Sequence, residues 1–159
     1  MPNPSFMVIP YGSPNYTKAV ALREEILRKP LGLTFTQEEL TTEQNHIHIA
    51  GFIDNQLVAA CVLVPEADKK LKMQRVAVRE TSQNKGIGSA MMAYCENWAI
   101  SHGIDEIYVS ARAAEGMTAV PFYLKHGYAC KGGLFNEDGI PHQMMHKKIT
   151  TNQTGGIQP

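Results

Sequence analysis

The chain has 159 residues with 15 basic and 15 acidic side chains, so its formal charge is zero and its isoelectric point is about 7.0. At 43% hydrophobic and 19% charged residues the composition is globular, and the length fits one domain with a sizeable core. Such a balance excludes the single-sign field of a nucleic-acid-coating protein or an acidic tail, so no nucleic-acid partner is expected and any polyanion must be held locally.

Taken in chain order, the apolar run Phe6 to Ile9, closed by Pro10 and Gly12, predicts a first strand. From Tyr16 the residues Ala19, Val20, Ile26 and Leu27 recur near helical spacing until Pro30 and Gly32 stop them. Thr36-Gln37-Glu38-Glu39 has capping-box spacing and predicts a second, short helix. Two β-rich runs lie from His46 to Val64, separated by Asp54-Asn55-Gln56, which reads as a hairpin. A strand follows over Leu71 to Val78. Gly86 to His102 is the clearest helix, with Ile87, Met91, Tyr94, Cys95, Trp98 and Ala99 on one face and Gly103 as its stop. Ile107 to Ala111 reads as a strand, Thr118 to His126 as a helix ended by Gly127, and two last strands cover about 128–135 and 142–149. The order predicts an α/β fold: one mixed central β-sheet of about seven strands with four helices, in a single domain over residues 1–150. Residues 151–159 are polar and read as a flexible tail.

No stretch approaches the roughly 20 apolar residues of a membrane span, and Met1-Pro2-Asn3-Pro4 lacks the layout of a secretory signal. A cytoplasmic protein with no membrane partner is expected. Cys61, Cys95 and Cys130 are odd in number and about 35 residues apart, a pattern of buried thiols rather than of disulfides or paired zinc ligands. His46 and His48 would share a strand face, but no third ligand lies nearby in sequence, so no metal is expected.

Within the strand at 71–78, Leu71 and Met73 alternate with Lys72 and Gln74, and the apolar positions then restart at Val76 and Val78. A phase slip of this kind marks a β-bulge, which leaves backbone groups unpaired and opens a central strand; an ordinary buried strand ending near Arg75 is the alternative. Next comes Gln83-Asn84-Lys85-Gly86-Ile87-Gly88-Ser89, leading into the long helix. Two glycines at a strand-to-helix junction let successive amides and the helix N-terminus point at one anion, although a plain tight turn has the same pattern. It is not a P-loop, because Lys85 precedes the first glycine, and Met91 stands where a dinucleotide fingerprint needs a third glycine.

Gln83-x-x-Gly86-x-Gly88, preceded by Val76-Ala77-Val78 and followed by a long helix, resembles the pyrophosphate-binding motif of the GNAT N-acetyltransferase superfamily. Phe122-Tyr123-Leu124-Lys125-His126-Gly127-Tyr128 is similar to that superfamily's late helix and turn. The resemblance covers nearly the whole chain. It implies splayed parallel strands that form a V-shaped cleft for acetyl-CoA, the co-substrate. Val76, Ala77 and Val78 would face the pantetheine, with Val76 and Val78 bonding it through their backbone. The amides of Gln83, Asn84, Lys85, Gly86, Ile87, Gly88 and Ser89 would bind the pyrophosphate.

Acetyl transfer to an amine needs an unprotonated amine and a proton for the departing thiolate. Tyr123 stands where superfamily members commonly place that acid, or else packs beneath the acetyl group. The run Gly139-Ile140-Pro141-His142 before the last strand resembles the end of the glyphosate N-acetyltransferase subgroup, in which a histidine at the matching position is the base. Imidazole, with an unperturbed pKa near 6.5, suits that task. The same subgroup holds its acidic substrate with arginines, and Arg28, Arg75 and Arg112 match. The resemblance therefore implies direct transfer, in a ternary complex, to the amine of a small carboxylate- or phosphonate-bearing molecule. Two rivals are acetylation of a protein or peptide amine and a non-catalytic acyl-CoA-binding regulator. A monomer or a homodimer paired through a final edge strand is expected.

Overall fold

The computed structural model describes residues 3–149, and the expected tail at 151–159 lies outside the described residues. The chain folds as two compact units, one of residues 3–64 with Met73–Cys95, the other of Pro65–Lys72 with residues 96–149.

The first unit begins with strand β1 (Ser5–Ile9) and helix α1 (Pro14–Arg23). Ser13 caps α1 by accepting the Tyr16 amide at 3.2 Å, and Pro14 occupies a first-turn position where its missing N–H costs nothing. The helix expected to run on to Pro30 instead loosens into a π-helical turn at Glu24–Arg28 and a 3₁₀ turn at Lys29–Leu31, stopped by Gly32 at φ +74°. Helix α2 (Gln37–Thr41) carries the capping box as expected: Thr36 accepts the Glu39 amide, and the Glu39 carboxylate accepts the Thr36 amide. Strands β2 (Ile47–Ile53) and β3 (Gln56–Glu66) form the hairpin, turning on Asp54 and Asn55 at φ +49° and +65°. Two successive left-handed residues are what a tight hairpin turn requires. Strand β4 (Lys70–Val78) follows. Strand order here is β1-β2-β3-β4, with the β1/β2 and β2/β3 pairs antiparallel. Ile9, Tyr16, Ala19, Leu22, Ala50, Leu57, Ala60 and Ala77 form the core of this unit. Helix α3 (Ile87–Ser101) buries Ile87, Met91 and Cys95 one turn apart, and Cys95 Sγ lies 3.6 Å from Cys61 Sγ.

The second unit pairs Lys70–Lys72 of β4 in parallel with Glu106–Tyr108 of β5 (Glu106–Arg112). Helix α4 (Ala119–Lys125) follows, then β6 (Ala129–Cys130), β7 (Phe135–Glu137) and β8 (Ile140–Lys148). Strand order is β4-β5-β8-β6 with β7 also on β8, and β8 runs antiparallel to β5, β6 and β7. Among the described residues the fold is mixed α/β, with four α-helices and eight strands, where about seven strands were expected. The run at 128–135 accounts for the difference, because Gly132 at φ +74° divides it and the second piece becomes β7. Cys61 and Cys95 are buried, but Cys130 is exposed, since β6 lies at a sheet edge. His46 precedes β2 rather than sharing its face with His48, which is buried and bonds the Glu43 carbonyl through Nε2 at 2.9 Å. Among the described residues no helix is long and apolar enough to cross a membrane.

Candidate active site

The expected phase slip in β4 does not occur: the buried residues Leu71, Met73 and Ala77 keep one alternation, and the irregularity lies in the backbone of Arg75. Arg75 adopts φ +55° inside the strand, where a side-chain-bearing residue is strained, and burial passes from Leu71 and Met73 to Ala77. Val76 and Val78, expected to be the inward positions, are only half-buried. Beyond β4 the chain is pinned by the Arg79 amide on the Val58 carbonyl and Arg79 Nη2 on the Leu57 carbonyl, both at 2.8 Å. The loop Gln83–Gly86 then curls back, with Gln83 Nε2 on the Val78 carbonyl at 2.9 Å and left-handed backbone at Asn84 (φ +62°) and Gly86 (φ +81°). Gly86 accepts the Ala90 amide at 3.0 Å and so opens α3. Lys85 is exposed beside this turn. A Cβ at Gly86 would meet nothing within 4 Å, so the glycine answers to backbone conformation and not to crowding. An open left-handed turn at the positive end of a helix, with a lysine beside it, has the chemistry of a phosphate cradle.

The first unit also holds a cluster of charges built on Phe35. Arg23, Arg28 and Arg75 place their guanidinium carbons 4.8, 4.2 and 5.3 Å from its ring centre. Arg28, buried on the π-helical turn, makes a bidentate pair with Glu39 at 3.2 and 2.8 Å. Arg23 makes another with Glu43, both side chains 1% exposed, and Tyr16 donates to Glu43 at 2.9 Å. Burial first, then the Glu43 carboxylate, raises the Tyr16 phenol well above its usual range. Arg75 lies 3.9 Å from Glu39 and 3.8 Å from Glu43, outside hydrogen-bond reach, and its Nε has no hydrogen-bond partner among the described residues. Burial first, and then the neighbouring arginines, lowers the Arg75 pKa. Glu39 is held at about 2, chiefly by its bonds to Arg28. Of the three arginines read from sequence, Arg28 and Arg75 are brought together. Arg23, Phe35, Glu39 and Glu43 were not read as site residues, because six positions spread from 23 to 75 share no local pattern; only Glu39 gave a signal, as a cap.

In the second unit His142 is 5% exposed and lies inside β8, opposite Arg112 of β5 and Phe135 of β7. Its Nδ1 is 2.9 Å from the Ile140 carbonyl. A carbonyl only accepts, so Nδ1 is the donor in this contact, and Nε2 is the ring nitrogen left to take up a proton. Tyr123 is buried on α4, edge-on to Phe122 at 5.3 Å and to Tyr128 at 5.5 Å, and its carbonyl accepts the Tyr128 amide. Tyr128 and Lys147 both bond Glu96, which fixes the wall against which Tyr123 packs. The β5/β8 register pairs Arg112 with His142, Ser110 with Met144 and Tyr108 with His146, and alternation puts all six on one face. A cavity of about 450 Å³ opens there, lined in part by Tyr108, Phe135, Met144 and His146. Tyr108 donates to Glu66 at 2.7 Å, and burial followed by that carboxylate pushes its phenol up to about 12.

The acetyltransferase (GNAT) family pattern matches residues 16–128. The uncharacterized N-acetyltransferase YjcF of Bacillus subtilis (strain 168) is 30% identical over 132 residues, spanning 81% of this chain and 89% of its own length. Among solved structures, an acyl-CoA N-acyltransferase from Pseudomonas aeruginosa superposes with a TM-score of 0.74 at 20% identity, covering 91% of this chain and 99% of that one. A GNAT family acetyltransferase from Elizabethkingia anophelis, with acetyl-CoA bound, superposes with a TM-score of 0.72 at 15% identity, covering 92% and 99%. On its sequence match, and with the mixed α/β fold to go with it, this chain belongs to the GNAT family of acetyltransferases and is an acyltransferase.

Proposed function

We propose that the protein transfers the acetyl group of acetyl-CoA directly to the amine of a small acidic molecule in a ternary complex, as in the glyphosate N-acetyltransferase-like subgroup. The observation that carries this reading is the 2.9 Å approach of His142 Nδ1 to the Ile140 carbonyl: Nδ1 donates there, so Nε2 is the atom that takes the proton of the attacking amine. Tyr123 donates a proton to the departing thiolate. The Gln83–Ser89 turn holds the pyrophosphate, and the backbone of Val76 and Val78 holds the pantetheine. When bound, the thioester supplies the activated acetyl group. Arg28, Arg75 and Arg112 hold the acceptor's acidic group, for which planar guanidinium forks are well shaped.

Steady-state kinetics combined with calorimetry tests the assignment. Replacing His142 by Ala should lower kcat by about 100-fold while acetyl-CoA binds as before. Tyr123→Phe should lower kcat on the order of tenfold, again with cofactor binding intact. An unchanged kcat in His142→Ala removes His142 from the proton transfer, and an unchanged kcat in Tyr123→Phe reduces Tyr123 to packing.

A further inference from the structure

We propose that the acceptor is an α-amino acid with an aromatic side chain, and that the cavity on the β5/β8 face takes that side chain. This rests on the acidic-acceptor reading above and narrows it. Arg112 and His142 stand directly opposite each other in the β5/β8 register. Residues so paired on one sheet face have Cβ atoms about 5 Å apart. The carboxylate and amine of an α-amino acid share one carbon, so a single cross-strand pair meets both: the Arg112 guanidinium takes the carboxylate and His142 Nε2 the amine proton. The same face continues from this pair to Ser110 with Met144 and on to Tyr108 with His146, about 7 Å for each step. An aromatic ring on an acceptor anchored at the first pair lies at the level of the second and points toward the third, where the cavity of about 450 Å³ opens.

Phe135 joins the two places, since its ring centre is 5.8 Å from that of His142 and it lines the cavity with Tyr108, Met144 and His146. Two of these rings are held by their polar ends: Tyr108 donates to Glu66 at 2.7 Å, and His146 Nδ1 lies 3.2 Å from Glu106. These bonds set the walls before a ligand arrives, which lowers the cost of ordering them on binding. Aromatic faces and a thioether are favourable partners for a further aromatic ring. Of the charged side chains that line the cavity, Glu66 and Glu106 stand against Lys70 and Lys131, so neither an acidic nor a basic side chain is favoured over a neutral one. A glycine-sized acceptor leaves this space to water, whereas an aromatic side chain covers its apolar surface.

The test follows CoA release by the full chain with glycine, phenylalanine and 2-phenylethylamine as acceptors. For the wild type, kcat/KM should be about tenfold or more higher for phenylalanine than for glycine. Met144→Trp, which fills the cavity, should lower that phenylalanine-to-glycine ratio about tenfold, through the KM for phenylalanine and not that for acetyl-CoA. Met144→Leu, which nearly keeps the volume, should retain most of the ratio. A wild-type ratio of one or less overturns this inference, and that result needs no variant to fold. An equal ratio in the wild type and in a Met144→Trp protein that still turns over glycine overturns it as well. Either result leaves the acidic-acceptor reading standing. Turnover of 2-phenylethylamine but of neither amino acid, or no release with any of the three, overturns both.

Discussion

At Glu39 two tasks coincide: its carboxylate closes the capping box on Thr36 and grips Arg28. The arginine bonds hold its pKa at about 2, below the ordinary 4.5, so folding favours the ionised form. The stability it lends is complete above pH 4.5 and is lost as the pH falls from there toward 2. Melting temperatures measured across that window should drop more steeply for the wild type than for Glu39→Gln, and parallel curves would contradict the pairing. Glu43 shows the other regime. It is 1% exposed and shares its oxygens between Arg23 and Tyr16, so removing one partner would strand a buried charge at a cost of about 3 kcal/mol. At His142 one carbonyl two residues away engages Nδ1, so that contact alone favours Nε2 as the accepting nitrogen.

Among the elements, the turn from β4 into α3 and the strand β2 use glycine for opposite reasons. Gly86 sits at φ +81° with open space around it, whereas a Cβ at Gly51 of β2 would lie 2.5 Å from the Phe6 ring. Gly86→Ala should therefore lose about 1 kcal/mol of stability through the backbone alone and weaken acetyl-CoA binding several-fold. Gly51→Ala should lose about 1–2 kcal/mol through overpacking and leave acetyl-CoA affinity unchanged. Thermal melts and calorimetry on the two variants check the contrast; equal cofactor affinity in both would mean that the Gly86 turn does not hold the pyrophosphate. The left-handed Arg75 belongs at this scale too. Its conformation falls where the sequence pattern placed a slip, yet Ala77 continues the inward alternation of Leu71 and Met73, since the larger Val76 and Val78 were misread as the inward positions.

For the whole molecule, local signals were legible and long-range ones were not. Capping residues, the Asp54-Asn55 turn and the stripe of α3 are written in consecutive residues, and each appears near its expected place. The π-helical turn that positions Arg28, the division of the 128–135 run and the Phe35 cluster depend on partners far along the chain, so pattern reading could not supply them. Histidine and arginine candidates came from a family resemblance, and what the structure adds is their surroundings: His142 Nδ1 against the Ile140 carbonyl, and Arg28 and Arg75 gathered on the Phe35 ring. Of the residues named in the proposed function, Arg28, Arg75 and the Gln83–Ser89 turn lie in the first unit, and Arg112, Tyr123 and His142 in the second. The most direct test of this division is amine-dependent release of CoA from acetyl-CoA by the wild-type protein, followed with a thiol reagent. Release should occur with small amines that bear an acidic group, and should be almost completely lost in His142→Ala. A protein that binds acetyl-CoA by calorimetry and yet releases no CoA with any such amine would contradict it.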